Sequence, residues 1–144
     1  MLISLRWALL LVLSSAEIPP LLWPIPQSIR VSGSPTPLAA SFSFVADPAA
    51  SSPLLDRALS RYNSLLRNIS VVTDGVLSSC TVTAESQSEV LEMATAEDYN
   101  FTLDAGTDCS IACSTVFGCL HGLESFVQLM NVTHSSTSLT LPYS

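Results

Sequence analysis

Between Val116 and Met130 the apolar residues recur at helical spacing. Val116, Leu120, Leu123, Val127 and Met130 form a stripe that Phe117 and Phe126 widen. Such a stripe must be buried against another layer, because an amphipathic helix draws most of its stability from packing that face. Gly118 and Gly122 lie on the same segment and would let a neighbouring backbone approach closely. His121, Glu124 and Gln128 interrupt the apolar run, so the Gly-x-x-x-Gly spacing does not read as a membrane dimerisation face. The pattern predicts a helix from about Ser114 to Met130 lying flat against a sheet.

The rest of the chain supplies that sheet and one more helix. Ser52-Pro53 offers a cap and a first-turn proline. Leu55, Ala58, Leu59, Tyr62 and Leu66 then share one face, with Asp56, Arg57, Ser60, Arg61, Asn63 and Ser64 mostly on the other. This predicts an amphipathic helix to about Arg67. Leu22-Trp23-Pro24-Ile25-Pro26 is held extended by its prolines, and a strand is expected over Ile29 to Val31, ending at Gly33. Alternation of period two marks further strands at Ala40 to Val45, Cys80 to Ala84, Tyr99 to Leu103 and Cys109 to Cys113. The last two read as a hairpin around the turn from Asp104 to Asp108, and Ser138 to Leu141 begins one more strand. Glu85 to Asp98 reads as a loop with a helical turn near Val90 to Met93. Short strands with two helices give the fold class α+β: a mostly antiparallel sheet with both helices packed on one face.

Hydrophobic residues make up 48% of the 144 residues and charged residues 12%, which suffices for one buried core and does not read as disorder. One domain fits this length; a domain plus a catalytic barrel of roughly 250 residues does not. The net charge is −7, and all five basic residues are arginine. So acidic a chain repels phosphate backbones, which excludes nucleic acid as a partner, and it lacks the basic patch of a peripheral membrane protein.

Residues 1–16 read as a signal peptide: Arg6, the short apolar run Trp7 to Leu13, then Ser14-Ser15-Ala16. That run is far below the roughly 18 residues a membrane span needs, so no stable span is expected. Residues 17–21 form a leader and 22–144 the folded domain. Without residues 1–16 the charge is −12 + 4 = −8. Three sequons, at Asn68, Asn100 and Asn131, mark N-glycosylation sites. All of this predicts a glycoprotein of the secretory pathway, extracellular or lysosomal. Cys80, Cys109, Cys113 and Cys119 are disulfide candidates with three full pairings open, and buried free thiols are the alternative. Their spacing suits no zinc site; no metal or cofactor is expected.

Four segments together carry a resemblance. They are Leu22-Trp23-Pro24-Ile25-Pro26, Arg61 to Leu66, Asp98 to Leu103 and, above all, Thr115-Val116-Phe117-Gly118-Cys119-Leu120-His121 continued by Gly122-Leu123-Glu124-Ser125-Phe126-Val127-Gln128-Leu129. In this order, from Leu22 to about Met130, they resemble the non-catalytic N-terminal domain of the eukaryotic β-N-acetylhexosaminidases, which include the lysosomal hexosaminidase subunits. The resemblance implies a parent glycosidase that removes terminal N-acetylhexosamine from glycans. There a Glu serves as acid and base, and a neighbouring Asp orients the substrate's own acetamido nucleophile. Both reside in a catalytic barrel beyond this domain, which is the implied partner. Three departures stand out. His121 occupies a position where the family usually has Arg. A cysteine usual before the first helix is missing from Ala50-Ser51-Ser52-Pro53. The stretch from Asn68 to Cys80 is also short for the family. Cys109 resembles the missing cysteine's usual partner, so it pairs elsewhere or stays free, with Cys80 a candidate.

No catalytic residue is expected within these 144 residues. Glu97-Asp98 lies in an acidic loop, where adjacent carboxylates are most often a solvated face. His121 has no nucleophile motif around it and reads as a helix-face histidine with a satisfied hydrogen bond. His134 follows the last sequon in a Ser/Thr-rich loop. The expectation is therefore a support domain of a hexosaminidase, truncated before the barrel and inactive alone. The alternative is a stand-alone secreted module that binds a protein or glycan. Apolar surface left bare by a missing barrel would favour homo-oligomers or aggregation.

Overall fold

The computed structural model describes residues 22–28, 36–69, 75–104, 108–132 and 137–139. The signal peptide, the leader, the strand expected near Ile29 and His134 lie outside the described residues.

β1 (Thr36–Ala46) turns Leu38, Phe42 and Phe44 inward. It ends at Asp47, whose carboxylate accepts a hydrogen bond from the Ala49 N–H (2.9 Å) and opens a single 3-10 turn at Pro48–Ala50. Ser52 then caps α1 (Pro53–Ile69), its Oγ accepting from the Leu55 N–H at 3.2 Å. The expected inward face of α1 is buried in full: Leu55, Ala58, Leu59, Tyr62 and Leu66. β2 (Leu77–Ser86), β3 (Tyr99–Asp104), β4 (Asp108–Thr115), α2 (Val116–Gln128), β5 (Met130–Val132) and β6 (Thr137–Leu139) follow.

The six strands form one sheet in the order β3-β4-β2-β1-β6-β5. The sheet is mixed, which corrects the expectation of a mostly antiparallel one. β1 pairs with β2 and β2 with β4 in parallel, while β3 and the β5–β6 pair run antiparallel on the two flanks. The cause is α1. A helix of 17 residues carries the chain back along the sheet, so the strand after it starts again in the same direction. The β3–β4 hairpin forms as expected, and its return strand inserts beside β2. β6 reaches only Thr36 and Pro37 of β1, and among the described residues the rest of that β1 edge has no strand partner. Asn63 of α1 meets the need there. Its Oδ1 accepts from the Phe44 N–H (2.7 Å) and its Nδ2 donates to the Phe44 carbonyl (3.0 Å).

Both helices cover one face of the sheet and touch each other. Phe126 of α2 is the centre of the core. Its ring stacks on Phe42 at 5.3 Å and meets Phe44 edge-on at 4.8 Å, with Phe101 at 5.7 Å. The opposite face is open and small-sided: Ser41, Ser79, Thr81, Ser110 and Ala112 are exposed there.

The stripe of α2 is rotated from the one expected. Val116, Cys119, Leu123 and Phe126 are buried, while Leu120 and Val127 are only partly so. Two features draw the Cys119–Gly122 side inward: a disulfide from Cys113 to Cys119, and Gly122, where an added Cβ would overlap the Ile111 methyl of β4. Met130, assigned to the helix by its spacing, instead opens β5. The second disulfide, Cys80–Cys109, joins the adjacent strands β2 and β4. All four cysteines are thus paired, which removes the free-thiol alternative.

Candidate functional site

Two constructed regions stand out on the helix layer. The first closes the end of the sheet where the parallel strands finish and both helices begin. In open α/β sheets this end, with its helix N-termini, is where ligands bind. Here the β2–β3 loop, residues 87–98, occupies it. The Glu89 carboxylate accepts from the Leu54 N–H at the start of α1 (2.6 Å), standing where a bound anion would stand. Gln87 donates to the Ala49 carbonyl. At the other helix, Thr115 caps α2 by accepting from the Gly118 N–H (3.4 Å) and donates its own hydroxyl to the Ala96 carbonyl (2.5 Å). Gly118 lies so close to Asp98 that a Cβ would strike the Asp98 carbonyl oxygen.

Both groups weighed for catalysis fall in this closure. Glu97 Oε2 lies 3.1 Å from His121 Nε2, each side chain roughly half exposed. Asp98 instead accepts from the Ser114 hydroxyl at 2.8 Å. The two carboxylates therefore hold different elements and do not converge on one point. Among the described residues no group of three or more His, Cys, Asp or Glu is placed to hold a metal. The helical turn expected near Val90 to Met93 is instead a hydrogen-bonded turn: the Thr95 N–H donates to the Glu92 carbonyl and the Glu92 N–H to the Thr95 hydroxyl. Val90, Leu91 and Met93 stand exposed on it.

The second region runs along the groove between α1 and α2. Tyr62 Oη donates to Glu124 Oε2 at 2.8 Å. Burial of the Tyr62 ring, and then the Glu124 carboxylate beside it, push its hydroxyl above the ordinary value of 10.0. The Arg61 guanidinium sits over the Tyr62 ring at 4.9 Å. Gln128, one turn beyond Glu124, donates to Glu124 Oε1 at 3.4 Å. It also grips the entering chain at two points: its Oε1 accepts from the Trp23 N–H (2.6 Å), and its Nε2 donates to the Trp23 carbonyl (2.7 Å). Sequence reasoning missed this network. The available signal was the four-residue step between Glu124 and Gln128, which puts both on one side of the helix.

The sequon residues Asn68 and Asn100 are exposed, at the end of α1 and on β3 respectively. Asn100 faces the open side, opposite Ala112 of β4. Asn131 lies on β5. No described helix is long and apolar enough to cross a membrane.

The family described as beta-acetyl hexosaminidase like matches residues 22–129. The chain is similar to Beta-hexosaminidase subunit B1 of Dictyostelium discoideum, with 26% identity over 124 residues, 83% of this chain and 22% of that protein. In structure it is similar to the chitobiase of Flavobacterium johnsoniae, with a TM-score of 0.60 and 17% identity, over 83% of this chain and 19% of that one. The chain thus spans about a fifth of the length of either relative.

Proposed function

Because the chain belongs to the β-acetyl hexosaminidase-like N-terminal domains, we propose that it is the non-catalytic support domain of a β-N-acetylhexosaminidase. On this reading it holds the catalytic barrel of its parent enzyme against its helix layer and has no reaction centre of its own. One observation carries the proposal: the chain's own loop fills the strand ends where a ligand would enter, and Glu89 takes the place of the ligand's negative charge at α1. The names of the similar proteins supply the substrate class, glycans ending in N-acetylhexosamine, for the parent enzyme. The 144-residue chain should release no dye above background from a chromogenic N-acetylglucosaminide. Clear turnover would overturn the proposal.

The secretory pathway, extracellular or lysosomal, is part of the same reading. Exposed Asn68 and Asn100 support it, and glycosidase treatment of the secreted chain should lower its apparent mass. A chain of unchanged mass would remove this support. The competing reading, a stand-alone secreted binding module, draws on the exposed Val90, Leu91 and Met93. The transcript beyond Ser144 separates the two: a continuing frame that encodes a barrel favours the support domain, and a stop codon favours the module.

A further inference from the structure

Trp23 and Ile25 are 72% and 63% exposed, while Leu22 before them is buried at 6%. The Trp23 main chain is gripped on both its N–H and its carbonyl by Gln128, so the backbone that carries the outward indole is anchored to α2. β6 ends at the same corner. Gln128 ends α2, Met130 opens β5, and Met130 pairs directly with Leu139 of β6. Leu139 in turn pairs with Thr36, the first residue of β1. The corner therefore lies at the opposite end of the parallel strands from the exposed loop residues Val90, Leu91 and Met93. β1 has 11 residues, and at about 3.3 Å each the two ends are roughly 30 Å apart.

Taking the support-domain reading as given, we propose that Trp23 and Ile25 form the seat on which the catalytic portion of the hexosaminidase docks. The occupant follows from the chain's path: the relatives carry roughly four-fifths of their length outside the matched region, and a body joined after Leu139 starts beside this corner. The chemistry agrees. An exposed tryptophan on an anchored backbone, next to an aliphatic side chain, is the kind of anchor that dominates protein interfaces. The line of Gln128, Glu124 and Tyr62 supplies a polar margin whose hydrogen bonds are already made.

The test uses the full chain carrying Trp7→Phe, in which Trp23 is the sole tryptophan, with a fluorine label on that ring. The probe is the part of Dictyostelium Beta-hexosaminidase subunit B1 outside the matched segment, added in trans. Binding is followed by sedimentation, and exposure by the change in the fluorine resonance when heavy water replaces water. The expected result is a complex in which that solvent effect falls to less than half. A Trp23→Ala/Ile25→Ala variant, with unchanged circular dichroism, should bind at least tenfold more weakly. A complex that forms with Trp23 still exposed, and equally well with the double variant, overturns the seat and leaves the support-domain reading standing. No complex with the parent chain overturns that reading and the seat with it. Loss of exposure on concentrating the chain without the probe makes a second copy the occupant and overturns the proposal.

Discussion

Replacing Gly122 by alanine tests how closely α2 approaches the sheet, because two terms of known sign oppose each other. In a free helix interior, alanine is favoured over glycine by about 1 kcal/mol. Here the new Cβ would overlap the Ile111 methyl and press on the Tyr99 ring. Ile111 is fully buried on β4, and Tyr99 Oη is held at 2.6 Å from the Ser125 hydroxyl, so neither can simply swing away. Overpacking of this kind costs about 1–3 kcal/mol. The balance is a net loss of about 1 kcal/mol, or roughly 4 °C in Tm for a domain of this size. Urea unfolding followed by far-ultraviolet circular dichroism measures it. The decisive step is to repeat the change in an Ile111→Ala background, where the obstructing methyl is gone. The same Gly122→Ala substitution should then turn stabilising, and the difference between its effects in the two backgrounds is the coupling energy between the two sites. If Gly122→Ala stabilises the parent chain as it would a free helix, α2 does not lie against β4 as described.

Two further outcomes follow from the core and the groove. The Tyr62 hydroxyl is held neutral above its ordinary value of 10.0 by burial and by Glu124, against the opposing pull of Arg61. The unfolded chain therefore loses this proton first as pH rises, and the stability it provides, complete below pH 10, declines through the raised folded value; in Tyr62→Phe that part of the alkaline decline should be absent, as urea midpoints across this range would show. Removing Cys80–Cys109, which closes a separation of 29 residues, by a double Cys→Ser change should cost about 3.5 kcal/mol on the chain-entropy estimate. Removing Cys113–Cys119, with a separation of 6, should cost nearer 2 kcal/mol on the same estimate, so equal losses in urea unfolding would contradict the closed loops described.

Much of the fold was legible because burial writes itself into periodicity. The inward residues of α1 sit at the spacings its sequence shows, and Cys109, Ile111 and Cys113 alternate inward on β4 as their period of two requires. Strand direction was not legible. No residue in β2 states that it pairs in parallel with β1; that follows from the length of α1 and the path it takes. The rotation of α2 was hidden for a related reason. Leu120 and Val127 are as apolar as Leu123, and what turns Cys119 and Gly122 to the sheet is a disulfide and the absence of a side chain. The disulfide pairing depended on register, which places Cys80 and Cys109 on adjacent strands. The resemblance located the domain, since it rests on the α2 segment that carries the core. The groove network stayed invisible because Tyr62, Glu124 and Gln128 are far apart in sequence or read as solvated helix surface, and Trp23 meets Gln128 across 105 residues.

The loop that fills the strand ends also lies inside the ring closed by Cys80 and Cys109. A protease that cut it among the exposed residues around Met93 would sever the main chain, yet the two pieces would remain one covalent molecule, with β2 still tethered to β4. Such a nicked form would run as a single band without reductant and as two with it. In a compartment rich in proteases, this exposed stretch could be clipped without the domain coming apart.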